Sequence, residues 1–280
     1  MGAADRVEKK RDFLVCVDSD GCALDTMEAK HRLCFGPCLI EEWNFQAERD
    51  RVLSRWNEIN LYSVTRGVNR FRALALILRE IDRTAGSVEG IAALEAWTES
   101  APELSNRALE SLSAVRPEPI FQKALRWSVA VNERIAALPE SAGLPFPHAE
   151  ETLRALHERA DIAVVSSANG DAVRREWERR GLAAHADAFL TQEEGSKKAC
   201  IAAMRKKGYP AGNVLMVGDA PGDLEAAEGN GVLFYPVLAG GEGESWQRLG
   251  GEGMALFLRG AYQGAYEEAQ KSAFYRNLRA

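Results

Sequence analysis

Hydrophobic and polar positions follow two alternating patterns in the second half of the chain. Short apolar runs, typical of strands buried on both faces, alternate with longer segments whose apolar residues recur at helical spacing. The predicted strands are 161–165, 214–217 and 232–235, with a weaker one at 189–190, and the predicted helices are 150–159, 171–180, 197–207 and 224–228. This alternation predicts a parallel sheet covered by helices.

A long segment of helical pattern separates the first predicted strand, Phe13–Val17, from this array. Helices are predicted at 49–56, 68–81, 88–99, 103–112 and 119–138, with no convincing strand among them. We therefore predict an all-α domain inserted into an α/β core, with the proline-rich segment 139–147 as the return linker. The predicted domains are the core (1–21 and 148–238), the helical insertion (22–147) and a C-terminal tail (239–280) that packs on the core. Within the tail, 239–244 is predicted to be a flexible turn-rich segment and 257–278 to be helical.

Composition restricts the class of protein further. An apolar fraction of 46% suits a globular protein, and a net charge of −6 argues against a general nucleic-acid or membrane-surface binder. No apolar run reaches the length of a membrane span, and the charged N-terminus lacks the apolar core of a signal peptide. The five cysteines are too few, and odd in number, for a disulfide framework. We therefore expect a cytoplasmic protein.

Two acidic clusters come directly after predicted strands. Asp18 and Asp20 follow the first strand, and Asp219 and Asp223 follow the strand 214–217. Because ligands of open α/β sheets lie at the carboxyl ends of the strands, both clusters could face one site. Carboxylates so close together repel each other, and a hard divalent cation compensates that repulsion. The alternative is that Asp-x-Asp-Gly is an ordinary turn without chemistry.

Four motifs occur in order along the chain. They are Asp18-x-Asp20, Ser166 at the end of the strand 161–165, Lys197 or Lys198 at the start of a helix, and Gly218-Asp219-x-x-x-Asp223. In this order they resemble the haloacid dehalogenase superfamily, in its magnesium-dependent phosphatase branch. The helical insertion directly after the first motif resembles that superfamily's cap at its most common insertion point. The resemblance implies a Rossmann-like parallel core with an inserted all-α cap.

The resemblance also implies catalytic roles, those of a phosphoric monoester hydrolase. Asp18 would be the nucleophile and form an aspartyl phosphate, while Asp20 would protonate the leaving oxygen and later deprotonate water. Members that cleave carbon–halogen bonds lack a carboxylate at the position of Asp20, so dehalogenase activity is not expected. Ser166 would donate a hydrogen bond to a phosphoryl oxygen, and Lys197 would hold Asp18 and the phosphoryl group together. Lys197 is favoured over Lys198 because apolar helix positions follow it at suitable spacing.

The same resemblance implies Mg²⁺ as the cofactor. Its ligands would be Asp18, the backbone carbonyl of Asp20, and Asp219, with Asp223 as a further ligand or as the partner of a ligand. Asp223 could instead be the N-cap of the helix 224–228, or serve both purposes.

Arg66, Asn69 and Arg70 in the helical insertion could form an anion-binding patch that contacts the substrate. Ordinary surface charge around a helix start is the alternative. We expect a small-molecule phosphate ester as the substrate, no nucleic-acid or membrane partner, and a monomer or homodimer. A phosphomutase of the same fold remains open, because its motifs hardly differ. A phospho-accepting signalling domain is less consistent with Asp20 and with so large an insertion.

Overall fold

The computed structural model describes residues 4–86, 88–139 and 141–278. Position 140 of the predicted linker lies outside the described residues, as do position 87 of the predicted insertion and the terminal positions 1–3 and 279–280. The chain divides into two compact units. The α/β unit comprises Met1–Met27 and Gly143–Ala280, and the helical unit comprises Glu28–Ala142. These limits differ by a few residues from the predicted domain boundaries.

The described residues contain five strands and fourteen α-helices. The strands are β1 Phe13–Val17, β2 Ala160–Val165, β3 Ala188–Leu190, β4 Val214–Gly218 and β5 Leu233–Pro236. The helices are α1 Met27–Lys30, α2 Gly36–Trp43, α3 Arg49–Asn57, α4 Arg70–Ala85, α5 Ile91–Ser100, α6 Asn106–Val115, α7 Pro119–Ala136, α8 Ala149–His157, α9 Gly170–Arg179, α10 Lys197–Arg205, α11 Pro221–Glu228, α12 Glu242–Arg248, α13 Met254–Leu258 and α14 Ala265–Asn277.

The five strands form one parallel sheet in the order β3-β2-β1-β4-β5. Successive residues of β1 point to opposite faces, so Val15 and Val17 enter one apolar core while Leu14 and Cys16 enter the other. Helices cover both faces, which explains why these strands are apolar almost throughout. The predicted fold class is confirmed: a Rossmann-like parallel sheet with helices around it and additional helical content.

The register of the sheet brings the motif residues to one edge. Val17, the last residue of β1, pairs with Val164 in β2 and with Val217 in β4. Asp18 is the next residue, and its backbone N–H donates to the carbonyl of Val217 at 3.0 Å. Asp18 therefore leaves the central strand between the ends of its two neighbours, where the other motifs begin.

The helical unit contains a helix at each of the five predicted places, α3 to α7. Its core is built around large buried aromatic side chains, of which Trp56, Trp127 and Phe121 are fully buried. The helical segment from α1 to α2 was not predicted. A π-helical turn, His31–Phe35, joins these two helices. None of the described helices has the length and apolar character that crossing a bilayer requires.

The C-terminal tail differs in detail from its prediction. The predicted turn-rich segment already contains the start of α12, and the predicted helical tail at 257–278 is divided into two helices, α13 and α14. Gly260 and Gly264 interrupt it with φ values of +68° and +97°, which favour glycine. The tail packs on the sheet: Phe274 in α14 meets Phe234 in β5 with ring centroids 5.4 Å apart.

Candidate active site

Three carboxylates meet at the carboxyl edge of the sheet. Asp18, Asp219 and Asp223 are all buried, and one carboxylate oxygen from each lies within 4.8 Å of the others. Asp18 follows β1 and Asp219 follows β4, while Asp223 is the third residue of α11. Asp18 and Asp219 thus meet, although they are far apart in the chain, because the strands that they follow are neighbours.

Lys197 joins two of these carboxylates. Its Nζ lies 2.9 Å from Oδ1 of Asp18 and 2.6 Å from Oδ1 of Asp223. Ser196 caps the start of α10, since its hydroxyl accepts from the backbone N–H of Ala199, so Lys197 sits on a fixed first turn. Lys198, by contrast, is exposed. The structure therefore places Lys197, and not Lys198, beside the predicted nucleophile.

Burial and mutual repulsion dominate the electrostatics of this cluster. Burial raises the pKa of Asp18 well above its ordinary value; the Lys197 ammonium opposes that rise, and Asp223 and Asp219 add to it. Burial alone would lower the pKa of Lys197, but Asp18 and Asp223 together hold it above its ordinary value. When all four groups are charged, three carboxylates and one ammonium leave two uncompensated negative charges.

A divalent cation fits this donor set. Buried carboxylate oxygens are hard ligands of the kind that Mg²⁺ prefers, and its charge equals the excess negative charge of the cluster. Asp18 and Asp219 are the better placed ligands. Both oxygens of Asp223 already accept hydrogen bonds, one from Lys197 and the other from the backbone N–H of Ala220 at 3.1 Å. Asp223 is therefore better suited to hold Lys197 than to bind an ion directly.

The structure also revises the capping prediction for Asp223. Asp223 does not precede the helix; it lies inside α11 and bonds back to the N–H of the N-cap residue, Ala220. Gly218 makes room for this arrangement, because a Cβ at that position would lie 2.3 Å from Cγ of Asp223. The glycine of this motif is thus required by the close approach of a buried carboxylate.

We expect Gly218→Ala to displace Asp223 and to lower turnover of a phosphate ester by roughly a hundredfold, since small misplacements in an active site have effects of that size. The displacement should also reduce the free energy of unfolding by about 1–3 kcal/mol, the usual cost of overpacking. Gly222→Ala is the matched control, because nothing lies within 4 Å of a Cβ at that position of the same segment. Equal activity of the two variants would contradict the argument. Steady-state kinetics and denaturant titration measure both effects.

The remaining predicted catalytic residues lie near the same edge. Oδ1 of Asp20 accepts a hydrogen bond from the Thr26 hydroxyl at 2.5 Å. Ser166 follows β2 directly, is 4% exposed, and accepts from the backbone N–H of Ala168 at 3.2 Å, which leaves its hydroxyl proton able to donate elsewhere. Both arrangements are compatible with the roles predicted for these residues, which stay predictions.

The three predicted substrate-binding residues all have partners within the helical unit. Arg66 is buried and donates to the carbonyl of Leu61 at 2.6 Å. Asn69 caps α4 by accepting from the backbone N–H of Phe71. Arg70 lies over the ring of Phe35, with its guanidinium carbon 5.0 Å from the centroid.

Among these three residues, Arg70 remains best suited to bind an anion. The acceptors that the structure describes for it, in Ser128 and Asn132, are all neutral. Burial lowers the pKa of Arg70 to about 10, so the side chain stays charged at neutral pH. Whether any of the three residues contacts a substrate stays a prediction.

Sequence reasoning missed several residues that support the site. Thr26 bonds to Asp20, and the indoles of Trp177 and Trp246 donate to Ser19 and Cys22 in the turn that carries Asp18. None of these residues belongs to a motif. A tryptophan within an amphipathic helix looks like any other core residue, and only the tertiary structure shows where its N–H points.

Comparisons with known proteins agree with this architecture. Residues 107–237 match the family model described as haloacid dehalogenase-like hydrolase. This range contains Ser166, Lys197, Asp219 and Asp223 but not the first motif. No curated protein matches the chain in a sequence comparison.

Solved structures match most of the chain. A haloacid dehalogenase-like family hydrolase from Xanthomonas campestris aligns with a TM-score of 0.52 and 14% identity, covering 92% of this chain and 98% of its own. A related family protein from Streptococcus pneumoniae aligns with a TM-score of 0.52 and 12% identity, covering 80% and 83%. A protein from Lactobacillus delbrueckii described as a phosphoglycolate phosphatase aligns with a TM-score of 0.52 and 17% identity, covering 81% and 86%. At these identities, the matches establish the fold.

The parallel sheet and the carboxylate cluster at the ends of its strands agree with the match to the haloacid dehalogenase-like hydrolase family. The resemblance seen in the sequence is confirmed: residues 107–237 match the haloacid dehalogenase-like hydrolase family, and the solved structures share the fold.

Proposed function

We propose that this protein is a magnesium-dependent phosphatase that hydrolyses a small phosphorylated metabolite through an aspartyl phosphate on Asp18. The observation that carries the proposal is the buried cluster in which Lys197 holds Asp18 beside Asp219 and Asp223. A carboxylate at the end of the central strand, with a lysine and two further carboxylates around it, is suited to phosphoryl transfer and has no evident structural purpose.

In the first step, a carboxylate oxygen of Asp18 attacks phosphorus and the bond from phosphorus to the ester oxygen breaks. Asp20 gives its proton to that leaving oxygen, so that a neutral alcohol departs. In the second step, water attacks phosphorus and passes a proton to Asp20. The bond from phosphorus to Asp18 breaks, and inorganic phosphate and the free carboxylate result.

The surrounding side chains orient these groups and balance their charge. The Thr26 hydroxyl fixes the Asp20 carboxyl by its hydrogen bond to Oδ1. Lys197 keeps Asp18 in place and offers positive charge to the transferred group, and Ser166 donates to one of its oxygens. Mg²⁺, held by Asp18, Asp219 and the backbone carbonyl of Asp20, would neutralise charge on nucleophile and phosphoryl oxygens alike.

We propose that the helical unit acts as a cap that selects a small substrate. Arg70 is the residue we would assign to an anionic part of that substrate, since its described partners are neutral and it lies over an aromatic ring. The Lactobacillus delbrueckii protein is described as a phosphoglycolate phosphatase, which suggests phosphorylated carboxylic acids as the first compounds to test. The five free cysteines, all buried, suit a protein of the reducing cytoplasm.

The test is phosphate release from a panel of phosphorylated metabolites, with Mg²⁺ and with a chelator. We expect turnover of small esters that stops on chelation and returns when Mg²⁺ is restored, because the carboxylate cluster needs the cation to accept a second anion. A phosphopeptide panel serves as the control for substrate size. Good hydrolysis of phosphopeptides without small esters would contradict the proposed substrate class, and isomerised sugar phosphate without phosphate release would indicate a mutase.

A further inference from the structure

The turn that carries the nucleophile is a short segment with its own hydrogen bonds. We call residues 18–24, which contain Asp18 and Asp20, the motif turn. The carbonyl of Ser19 accepts from the backbone N–H groups of Ala23 and Leu24 at 3.1 and 3.0 Å, and Gly21 donates to the carbonyl of Leu24 at 2.9 Å. These bonds shape the turn, but they do not fix its position relative to the rest of the α/β unit.

Backbone bonds attach both ends of the turn, since the Asp18 N–H donates to the Val217 carbonyl and the Ala23 carbonyl accepts from the Phe146 N–H at 3.1 Å. Two indole N–H groups attach the residues between them. Nε1 of Trp177 in α9 donates to the Ser19 hydroxyl oxygen at 2.9 Å, and Nε1 of Trp246 in α12 donates to the carbonyl of Cys22 at 2.8 Å. Both tryptophans are fully buried. The two bonds reach the motif turn at separate residues on either side of Asp20, so they restrain its rotation as well as its displacement.

The helix that carries Trp246 is itself attached to the end of the sheet. The hydroxyl of Tyr235 in β5 donates to the carbonyl of Ser245 at 2.7 Å, and the hydroxyl of Thr152 donates to the carbonyl of Trp246 at 3.1 Å. Directly after β5, Val237 donates its N–H to the carbonyl of Gly218 at 2.8 Å. The same strand end therefore supports both the motif turn and the segment that carries Asp219.

Trp246 lies outside the part of the chain that the family model matches, which ends at residue 237. We propose that Trp177 and Trp246 are positioning residues that hold the motif turn against the segment that carries Asp219. Helix α12 then supports the active site through Trp246. The inference rests on the proposed phosphatase function. It adds that a residue beyond the matched range, Trp246, helps to orient Asp18 toward its substrate.

The physical reason is the sensitivity of phosphoryl transfer to alignment. A displacement of about 1 Å in an active site can cost a hundredfold in rate. A tryptophan replaced by phenylalanine keeps a buried ring but loses the N–H, which leaves the Cys22 carbonyl without its indole donor. The turn then gains freedom, while groups that bind the substrate in its ground state are unchanged. A positioning role predicts that kcat falls and KM stays nearly constant.

Trp246→Phe and Tyr262→Phe form a matched pair for the test. Tyr262 is also fully buried, also follows residue 237, and also donates to a backbone carbonyl, that of Phe234 at 2.8 Å. Each variant removes one buried hydrogen bond from an aromatic side chain, but only Trp246 touches the motif turn. The probe is p-nitrophenyl phosphate with saturating Mg²⁺. The second measurement is amide hydrogen exchange in the peptide that spans the motif turn.

We expect kcat of Trp246→Phe to fall roughly tenfold or more, with KM within about twofold of the wild type. Exchange in the motif turn should accelerate in this variant, and Tyr262→Phe should change neither quantity appreciably. Equal losses of kcat in the two variants, or an unchanged kcat in Trp246→Phe, would overturn the inference. If Trp246→Phe does not fold, Trp177→Phe carries the same expectations.

The two proposals fail in different ways. A wild-type protein that hydrolyses no phosphate ester contradicts the proposed function. In that case amide hydrogen exchange in the motif turn still tests the inference. Faster exchange in the tryptophan variants would support it, and unchanged exchange in both variants would show that the indoles do not fix the turn.

Discussion

Asp18→Asn is expected to release no phosphate above background, with a loss of roughly 10⁴-fold or more in kcat, as is usual when a covalent nucleophile is removed. The amide keeps the size of the carboxylate but cannot attack phosphorus, and it removes one of the charges that the cation would balance. Phosphate release at saturating substrate and Mg²⁺ measures the loss. Asp12→Asn, at an exposed carboxylate just before β1, is the control and should be fully active.

The folded state of Asp18→Asn should survive. Burial and the neighbouring carboxylates raise the pKa of Asp18, so in the absence of Mg²⁺ the neutral amide relieves a repulsion, and Lys197 keeps Asp223 as its partner. We therefore expect thermal unfolding in chelator at or above the wild-type temperature. Residual turnover within about tenfold of the wild type, in a folded variant, would show that Asp18 is not the nucleophile.

Lys197→Ala should have the second largest effect, a fall of about 10²–10³-fold in kcat, as when one electrostatic donor is removed from a transition state. Without the ammonium, Asp18 and Asp223 lose the cationic contacts described for them at 2.9 and 2.6 Å, and Asp18 loses the bond that orients it. Steady-state kinetics on the same ester provide the measurement.

Lys198→Ala is the matched control for that experiment, because its side chain is exposed on the same turn of α10. It should retain activity within about twofold, since changes at exposed positions rarely exceed ±0.5 kcal/mol. A loss in Lys198→Ala as large as that in Lys197→Ala would contradict the placement of Lys197 in the site.

The core strands could be predicted closely because their physical signal is local. Each is an apolar run with an abrupt polar end, and β2, β4 and β5 begin and end within one residue of their predicted limits. The acidic motifs could be located for the same reason, because each directly follows a buried strand, and the order of all four motifs then gave the resemblance. These local patterns do not determine the order of the strands in the sheet, because that order depends on which apolar surfaces pack against each other.

The C-terminal tail was predicted less well because local composition was misleading. The glycines around residue 240 suggested a turn-rich segment, yet α12 begins at Glu242. Conversely, 257–278 was predicted as a helical tail without an interruption, and Gly260 and Gly264 divide it into two helices. Tertiary contacts decide both cases, and none of them is visible in a window of a few residues.

Local sequence patterns were also insufficient to choose between Lys197 and Lys198. Helical periodicity favoured Lys197, but two adjacent lysines differ only in the direction of their side chains. The role of Asp223 was also open, and the structure answers it through two specific bonds, to Lys197 and to Ala220. The bond between Lys197 and Asp223 joins residues that are distant in the chain, and local sequence patterns carry no information about such contacts.

The most direct test of the account is to trap the covalent intermediate. Wild-type protein is mixed with Mg²⁺ and an ester that it turns over, quenched within one turnover, and reduced with borohydride, which converts an aspartyl phosphate to homoserine. Peptide mass spectrometry then locates the change. The account predicts homoserine at position 18 and at no other aspartate, and none in protein treated with chelator. Phosphate release in a single burst with Asp18 unmodified throughout would contradict it.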